Sequence, residues 1–289
     1  MLRKYDTLKS SLLLALAVAG GAAVSGLAAA GEVTCNLENG FASELTTYVA
    51  EAETCIAEAD NIAGQVADGL FAEINAERVA NGLEPLNRRV SLDMAAEAHA
   101  LDMSVRIFAD HADLEGRDHL HRIRAFDRTM LVGASGSNVT VSKSSIAASD
   151  VHVKIKNDAF NVENILRDSF TDVGIGVVEK AGQFYVVQVF ADAEGDLSEP
   201  LPIIAEGTAP LRVNLASRDQ RFVAWGLMDD ASGEVVARGS MPRLRFTGLE
   251  GSEASLNVLV GVRNDTYVLK GPLVTGQPDA PAAVLIASR

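Results

Sequence analysis

The hydrophobic pattern of this chain changes at one point, Glu199-Pro200-Leu201-Pro202. Before it, apolar residues recur mainly at helical spacing. After it, seven short β-type runs follow at short intervals, from LRVNLAS at 211–217 to AAVLIAS at 282–288. Short runs separated by turn residues are typical of all-β domains. We therefore predict an α+β chain, with helices and a hairpin in its first half and a β-sandwich-like domain at 203–289.

Helices and one hairpin are predicted before this change. The helical segments are 41–56, then 65–81 with a stop at Gly82, then one that begins after Ser91 as N-cap, then a short one after the loop that starts at 109, and finally 158–170. Runs rich in β-branched residues flank Ala181-Gly182 and predict a hairpin. The stretch 133–145, rich in Gly, Ser and Thr, is predicted to be turn and strand-edge material. His99 falls on the apolar stripe of the third helix and is interpreted as a core or hydrogen-bonded histidine.

The N-terminus has the composition of an export signal. Basic residues at positions 3, 4 and 9 precede an uncharged run over 11–30 that ends in small residues. We interpret 1–30 as a signal peptide, which makes the protein periplasmic or secreted. Membrane attachment is expected only if this segment stays uncleaved.

Charge disfavours a nucleic-acid partner. The chain has a net charge of −14, and removal of 1–30 takes away three basic groups and one acidic group, which leaves −16. Such a surface repels phosphate backbones.

The two cysteines, Cys35 and Cys55, lie just after the signal segment. In an oxidising compartment such a pair predicts a disulfide. The helix over 41–56 is about 22 Å long, and the residues before it can run back about 20 Å, so the bridge is geometrically feasible. We assign 31–64 as an N-terminal helical extension that carries this disulfide.

Four segments in the middle of the chain carry a recognisable pattern: FAEINAERVANGLEPL at 71–86, LDMAAEAHALDMS at 92–104, FADHADLEGRDHLHRI at 108–123, and NILRDSF with the following hairpin at 164–190. In this order they resemble the CAP superfamily (cysteine-rich secretory, antigen 5, pathogenesis-related) in its bacterial exported form. The resemblance covers about 65–192, and we assign 65–195 as a CAP-like domain. It implies an α–β–α sandwich with a central antiparallel sheet.

The resemblance also implies a surface cleft in which two histidines and one or two glutamates bind a divalent ion in some members. His111 matches the first histidine position. The family's G-E-N-[IV] element corresponds to Gly136-Ser137-Asn138-Val139, so Ser137 replaces the glutamate. Asn161 replaces the second histidine. Ser and Asn are weak neutral ligands and do not titrate near neutrality, so this cleft is expected to be degenerate.

Three of the five histidines, His111, His119 and His121, fall within eleven positions and are the candidate metal ligands. His119 and His121 lie on a segment that looks helical, where residues two apart project in different directions. We therefore prefer a hydrated loop in which Asp113 and Arg122 brace one another. At most a weakly bound divalent metal is expected, and no other cofactor.

Two functions remain open, beside a third, lipid or sterol carriage in a CAP-type groove, which rests on analogy alone. The preferred one is an exported, non-catalytic CAP-domain protein that binds an envelope, carbohydrate or protein partner. The alternative is an exported metal-dependent hydrolase, a nuclease or peptidase, with His111 as catalytic base or metal ligand. A Ser–His–Asp triad is disfavoured because the chain lacks a G-x-S-x-G elbow.

Overall fold

The structure is a computed structural model that describes residues 34–143, 147–230, 232–249 and 251–276. The expected signal peptide and the last predicted strand, AAVLIAS, lie outside the described residues. The helices are α1 Leu45–Glu58, α2 Gly64–Ala80, α3 Val90–Arg106, α4 His119–Phe126, α5 Ala148–Ile155 and α6 Ala159–Ile165. The strands of the first half are β1 Asn87–Arg88, β2 Met130–Ser142, β3 Asp172–Lys180 and β4 Gln183–Leu197. Those of the second half are β5 Ile204–Ala205, β6 Thr208–Pro210, β7 Val213–Leu215, β8 Gln220–Met228, β9 Val235–Gly239, β10 Arg243–Arg245, β11 Glu253–Val262 and β12 Asp265–Gly276.

The first half is the expected layered α–β–α arrangement. Strands β3 and β4 form the predicted hairpin, and Ala181 and Gly182 turn it with positive φ angles of 51° and 74°. Helices α2, α5 and α6 cover one face of the sheet. Helices α1, α3 and α4 cover the other. Both faces of the central strands are therefore buried, which explains their nearly continuous apolar runs.

The disulfide between Cys35 and Cys55 is formed, with 4.8 Å between the two Cα atoms, which confirms that prediction. It joins the start of the described chain to α1. The buried stripe of α1 includes Leu45, Tyr48 and Ala52, which belong to the same apolar core as α3. The extension is thus an integral part of the first half.

Three predictions about local structure were wrong. The stretch 133–145 is mostly β2, a long central strand that pairs with β4 and β12 rather than an edge. Helix α5 was missed, and the helix predicted over 158–170 is only α6. Helix α3 begins at Val90, because the hydroxyl of Ser91 donates to Asp127 instead of capping the helix.

The second half contains the expected short strands, but they do not form a separate sheet. Strands β12, β11, β8 and β9 continue the sheet of the first half, and β12 meets β2 at the pair Lys270–Val132. Strands β6 and β10 form a separate two-stranded ribbon. The ribbon packs against the large sheet through Leu244 of β10, which lies in the same apolar core as Trp225 and Leu256. The expected boundary near 195–203 therefore separates two apolar cores that share one sheet.

In the described part of the chain, every helix is too short or too polar to cross a membrane.

Candidate functional site

His111 lies on the loop between α3 and α4, where the sequence places the cleft. Its Nδ1 lies 2.9 Å from the hydroxyl oxygen of Ser137 on β2. The backbone of this loop is fixed by Arg122, which donates to the His111 carbonyl at 2.6 Å. Ser137 is 4% exposed, whereas His111 is exposed at the surface. The polar partner of this ring is therefore a neutral hydroxyl rather than a carboxylate.

Asn138 and Asn161 lie on the opposite face of β2. Successive strand residues project to opposite faces, so Ser137 and Asn138 point away from one another. The Nδ2 of Asn138 donates to the Oε1 of Gln188 at 3.0 Å and to the Asn161 carbonyl at 3.1 Å. The Nδ2 of Asn161 donates to the Ile155 carbonyl at 3.1 Å. The structure thus brings His111 to Ser137, but it does not bring Asn161 to either of them.

Two further amides complete this second cluster. Asn164 donates through Nδ2 to the Oδ1 of Asn138 at 2.9 Å and to the Ser137 carbonyl at 3.2 Å. Gln188 is fully buried on β4, and its Nε2 has no hydrogen-bond partner among the described residues. Sequence analysis missed Gln188, although a glutamine inside the apolar run FYVVQVF is itself a signal, because such a side chain is seldom buried without a polar partner.

Helix α4 separates the other two histidines as the sequence predicts. Asp118 caps the helix by accepting the His121 backbone N–H at 2.8 Å. His119 is hydrogen bonded to the backbone of Ser135, and its imidazole is close enough to interact electrostatically with His111. His121 instead lies 3.3 Å from Glu253 and beside the ring of Tyr48. Only His119 therefore joins His111 on this face of β2.

Burial lowers the pKa of both His119 and His99. For His119 the shift is caused first by desolvation, and the Nδ1 atom of this ring has no hydrogen-bond partner in the described part of the chain. His99 is 1% exposed, its Nε2 lies 2.7 Å from the Asp110 carbonyl, and desolvation lowers its pKa to about 3. The prediction that His99 is a core histidine is confirmed.

The loop itself is held by ion pairs, not by the expected pairing of Asp113 with Arg122. Asp113 accepts instead from the Nε of Arg117 at 2.7 Å and from its backbone N–H at 2.8 Å. Asp113 and Arg117 thus pair across the same turn of the loop, whereas Arg122 donates to the backbone carbonyls of Arg117 and His111. Both acidic and basic partners are largely buried, so this part of the loop is not hydrated as expected.

One set of three carboxylates has its oxygens within 4.8 Å of one another, namely Asp102, Asp113 and Glu115. Arg106 lies between two of them, at 2.6 Å from Asp102 and 2.6 Å from Glu115. Arg117 pairs with the third. These oxygens are already neutralised by guanidinium groups, so the cluster is an ion-pair network that fixes the loop.

The donors near His111 do not fit a tightly bound divalent metal. A zinc site uses three or four imidazole, thiolate or carboxylate ligands. Among the described residues, His111 is not part of any group of three such side chains with suitably placed ligand atoms. The pair His111–Ser137 also lacks the third member of a hydrolase triad, because the described residues place no carboxylate on the imidazole.

Comparison with protein families gives one match. Residues 71–190 match the model of the cysteine-rich secretory protein family, CAP. A comparison with curated proteins finds no significant match.

Several solved structures are similar to part of the chain. An outer surface protein from Borrelia burgdorferi has 17% identity and a TM-score of 0.41, over 45% of this chain and 93% of that one. An extracellular protein with an SCP domain from Bacillus anthracis has 21% identity and a TM-score of 0.37, over 44% of this chain and 40% of that one. Venom allergen-like protein 4 from Schistosoma mansoni has 16% identity and a TM-score of 0.31, over 49% and 93%.

The four sequence segments, the layered arrangement of helices around β2, β3 and β4, and the family match agree on the same part of the chain. Residues 71–190, which are less than half of the chain, match the cysteine-rich secretory protein (CAP) family model, and this part of the chain has a CAP-like fold.

Proposed function

We propose that this protein is exported and acts by binding a partner in the cell envelope, without catalysing a reaction. The observation that carries the proposal is the 2.9 Å contact between His111 and the neutral hydroxyl of Ser137. Ser137 orients the His111 ring, but its hydroxyl carries no charge that would stabilise an imidazolium, and a metal needs two or three further imidazole, thiolate or carboxylate ligands. Among the described residues, His111 belongs to no group of three such ligands.

The amide cluster on the other face of β2 supports the same proposal. Asn138, Asn164 and Gln188 hydrogen bond to one another or to backbone carbonyls. None of these amides titrates in the physiological range. Their hydrogen bonds stabilise β2 against α6, which is a structural role.

Export is supported by the composition of residues 1–30 and by the disulfide. Disulfides persist in oxidising compartments and are rare in the cytosol. The acidic net charge of −14 supports a partner other than a nucleic acid.

Calorimetric titration of the purified protein with Zn²⁺, Mn²⁺ and Ca²⁺ tests the proposal. We expect no dissociation constant below about 10 μM, because one or two imidazoles supply too little binding free energy. Binding tighter than this that is lost in His111→Ala would overturn the proposal.

The alternative, a metal-dependent hydrolase, has one observation in its favour. His119 lies on the same face of β2 as His111, and its Nδ1 lacks a partner among the described residues. The same titration distinguishes the two functions. A hydrolase site built on these rings predicts metal binding and peptide or nucleic-acid cleavage that His111→Ala and His119→Ala both abolish, while His121→Ala, whose ring faces Glu253, keeps them.

A further inference from the structure

Strand β9 is an edge of the sheet. In the part of the chain that the structure describes, β9 pairs with β8 alone, from Trp225–Gly239 to Met228–Val235. The outer row of its backbone N–H and C=O groups can therefore accept another strand. An extended peptide that adds to such an edge obtains its affinity from main-chain hydrogen bonds and its specificity from alternate side chains.

A groove of about 510 Å³ adjoins this edge, where the chain passes from β9 to β10. Arg238, Arg243 and Arg245 line it, together with the apolar side chain of Met241. Arg243 and Arg245 flank the fully buried Leu244, so both point away from the core on the same side of β10. Three guanidinium groups are thus presented along one groove.

In the part of the chain that the structure describes, these arginines lack acidic partners. Within the described residues, no ion pair involves Arg238, Arg243 or Arg245. Residues 203–276 carry eight acidic and eight basic groups, in a chain whose net charge is −14. The acidic residues of the β8–β9 hairpin lie in and beside its turn, at 229, 230 and 234, so the other end of β9 is the basic end.

The side chains around the groove favour a peptide over a carbohydrate. Sugar rings bind against exposed aromatic faces, but Trp225 is only 3% exposed and donates its Nε1 hydrogen to the Met241 carbonyl at 2.9 Å. The large hydrophobic side chains that are exposed in the described part of 203–276 are aliphatic or thioether groups, among them Val235 and Met241. Such side chains suit the apolar positions of a peptide strand.

We propose that β9 and the groove lined by Arg238, Arg243 and Arg245 dock an extended acidic segment of a partner protein, which adds to the sheet as a strand beside β9. Its carboxylates pair with the three guanidinium groups, and its apolar side chains contact Val235 and Met241. This inference rests on the proposed function, because it specifies the partner of a binding protein.

Fluorescence anisotropy of the full chain with a labelled peptide of about ten residues, alternating glutamate and valine, tests the docking site. We expect saturable binding that weakens about tenfold or more in Arg238→Glu/Arg243→Glu/Arg245→Glu, because charge-assisted hydrogen bonds are replaced by repulsion. The matched control, Arg212→Glu/Arg218→Glu/Arg221→Glu, makes the same change in net charge at other exposed arginines and should keep the affinity.

Two other ligands test the mode of binding. A peptide with the same glutamates and proline in place of valine lacks half of the N–H donors and should bind about tenfold more weakly. Polygalacturonate, an anionic polysaccharide, should bind no better than this proline peptide. Each of four results would overturn the docking site. The affinity could fall equally in both arginine variants, or the proline peptide could bind as tightly as the glutamate–valine peptide. Polygalacturonate could bind more tightly than the proline peptide, or the glutamate–valine peptide could fail to bind. These outcomes leave the metal titration at His111 unchanged, so failure here is distinct from failure of the non-catalytic function.

Discussion

At the scale of single residues, buried arginines join segments that are distant in the sequence. Arg78 is 1% exposed, and its guanidinium donates to the carbonyls of Glu84, Ile165 and Arg167 at 2.8 to 2.9 Å. A buried guanidinium is costly unless its N–H groups are bonded, and backbone carbonyls at fixed positions meet that need without a second charge. Arg78 thus connects α2 to the segment that follows α6.

His99 gives a prediction about pH. Its pKa is about 6.5 in the unfolded chain and about 3 in the fold, because burial, followed by the charge of Arg122, disfavours the imidazolium. Above pH 6.5 the ring is neutral in both states. Below it only the unfolded chain takes up the proton, so the free energy of unfolding should fall by about 1.4 kcal/mol per pH unit from this residue alone.

Urea unfolding of the wild type and of His99→Gln between about pH 7.5 and pH 5, a range of about 2.5 units that includes the unfolded pKa, isolates this contribution. The stability difference between the two proteins should shift in favour of the variant as the pH falls, because glutamine does not titrate. If the free energies of unfolding of the two proteins change with pH in parallel, the folded state does not keep His99 unprotonated and the prediction is wrong.

At the scale of elements, the contact between α3 and β3 depends on glycine. A Cβ added to Gly174 would lie 2.0 Å from the carbonyl carbon of Leu92, and one added to Gly176 would lie 2.4 Å from that of Ala96. These neighbours are helix backbone, which cannot rotate away as a side chain can. Glycine at these positions is therefore what lets the helix lie directly on the strand.

Gly176→Ala is expected to lower the free energy of unfolding by about 2 to 3 kcal/mol, because α3 must move away from the sheet. Gly226→Ala on β8 is the matched control, since its nearest neighbour would be the Ala237 carbonyl oxygen at 3.8 Å. Urea denaturation of both variants measures the difference. If the two variants have equal free energies of unfolding, a methyl group fits between α3 and β3 and the prediction is wrong.

Element types were predicted well where periodicity was strong, and poorly where small polar residues dominate. The stripe of α1 and the β3–β4 hairpin follow from local pattern alone. Strand β2 was misjudged, because Gly, Ser and Asn are typical of turns when seen locally. In β2 a side chain at Gly133 or Gly136 would collide with Glu194 or Asn164, respectively. These tertiary contacts explain the glycines, and no local sequence pattern contains them.

The candidate site was predictable in its residues but not in its arrangement. The motif placed His111 and Ser137 at corresponding positions, and they do meet. The separation of Asn138 and Asn161 from them depends on which face of β2 each residue occupies, and β2 was not recognised as a strand. A change of one position in register would exchange the two faces.

At the scale of the whole molecule, one sheet joins the two apolar cores, and α4 with the residues just after it joins them a second time. Arg124 donates to the carbonyls of Gly271 and Leu256 at 2.6 and 3.0 Å. Arg128 donates to those of Leu273 and Leu201 at 2.6 and 2.9 Å. The segment RDHLHRIRAFDR at 117–128 has four arginines and two aspartates, a composition typical of exposed surface, yet Arg124 is buried because the second half covers it. The local pattern of charges cannot predict such a contact, because its partners are distant in the sequence.

These contacts predict that the two halves unfold together. The helices of the described residues all lie within 45–165, so far-ultraviolet circular dichroism at the helical band reports mainly the first half. The chain has a single tryptophan, Trp225, whose fluorescence reports the second half. In the wild type both signals should change at the same urea concentration, as a two-state transition requires.

Replacing both arginines, in Arg124→Met/Arg128→Met, removes the donors to seven backbone carbonyls, five of them in the second half, and should cost about 1 to 3 kcal/mol for each group left unpaired. Because the lost bonds connect the halves, the tryptophan transition should move to lower urea than the helical one, and the two should become separate. Arg212→Met, which removes an exposed ion pair with Glu199, is the control and should change both transitions by less than about 1 kcal/mol. If the two transitions already differ in the wild type, the shared sheet does not make the halves unfold cooperatively. If they still coincide in the double variant, the halves are coupled by the pairing of β12 with β2 rather than by these two arginines.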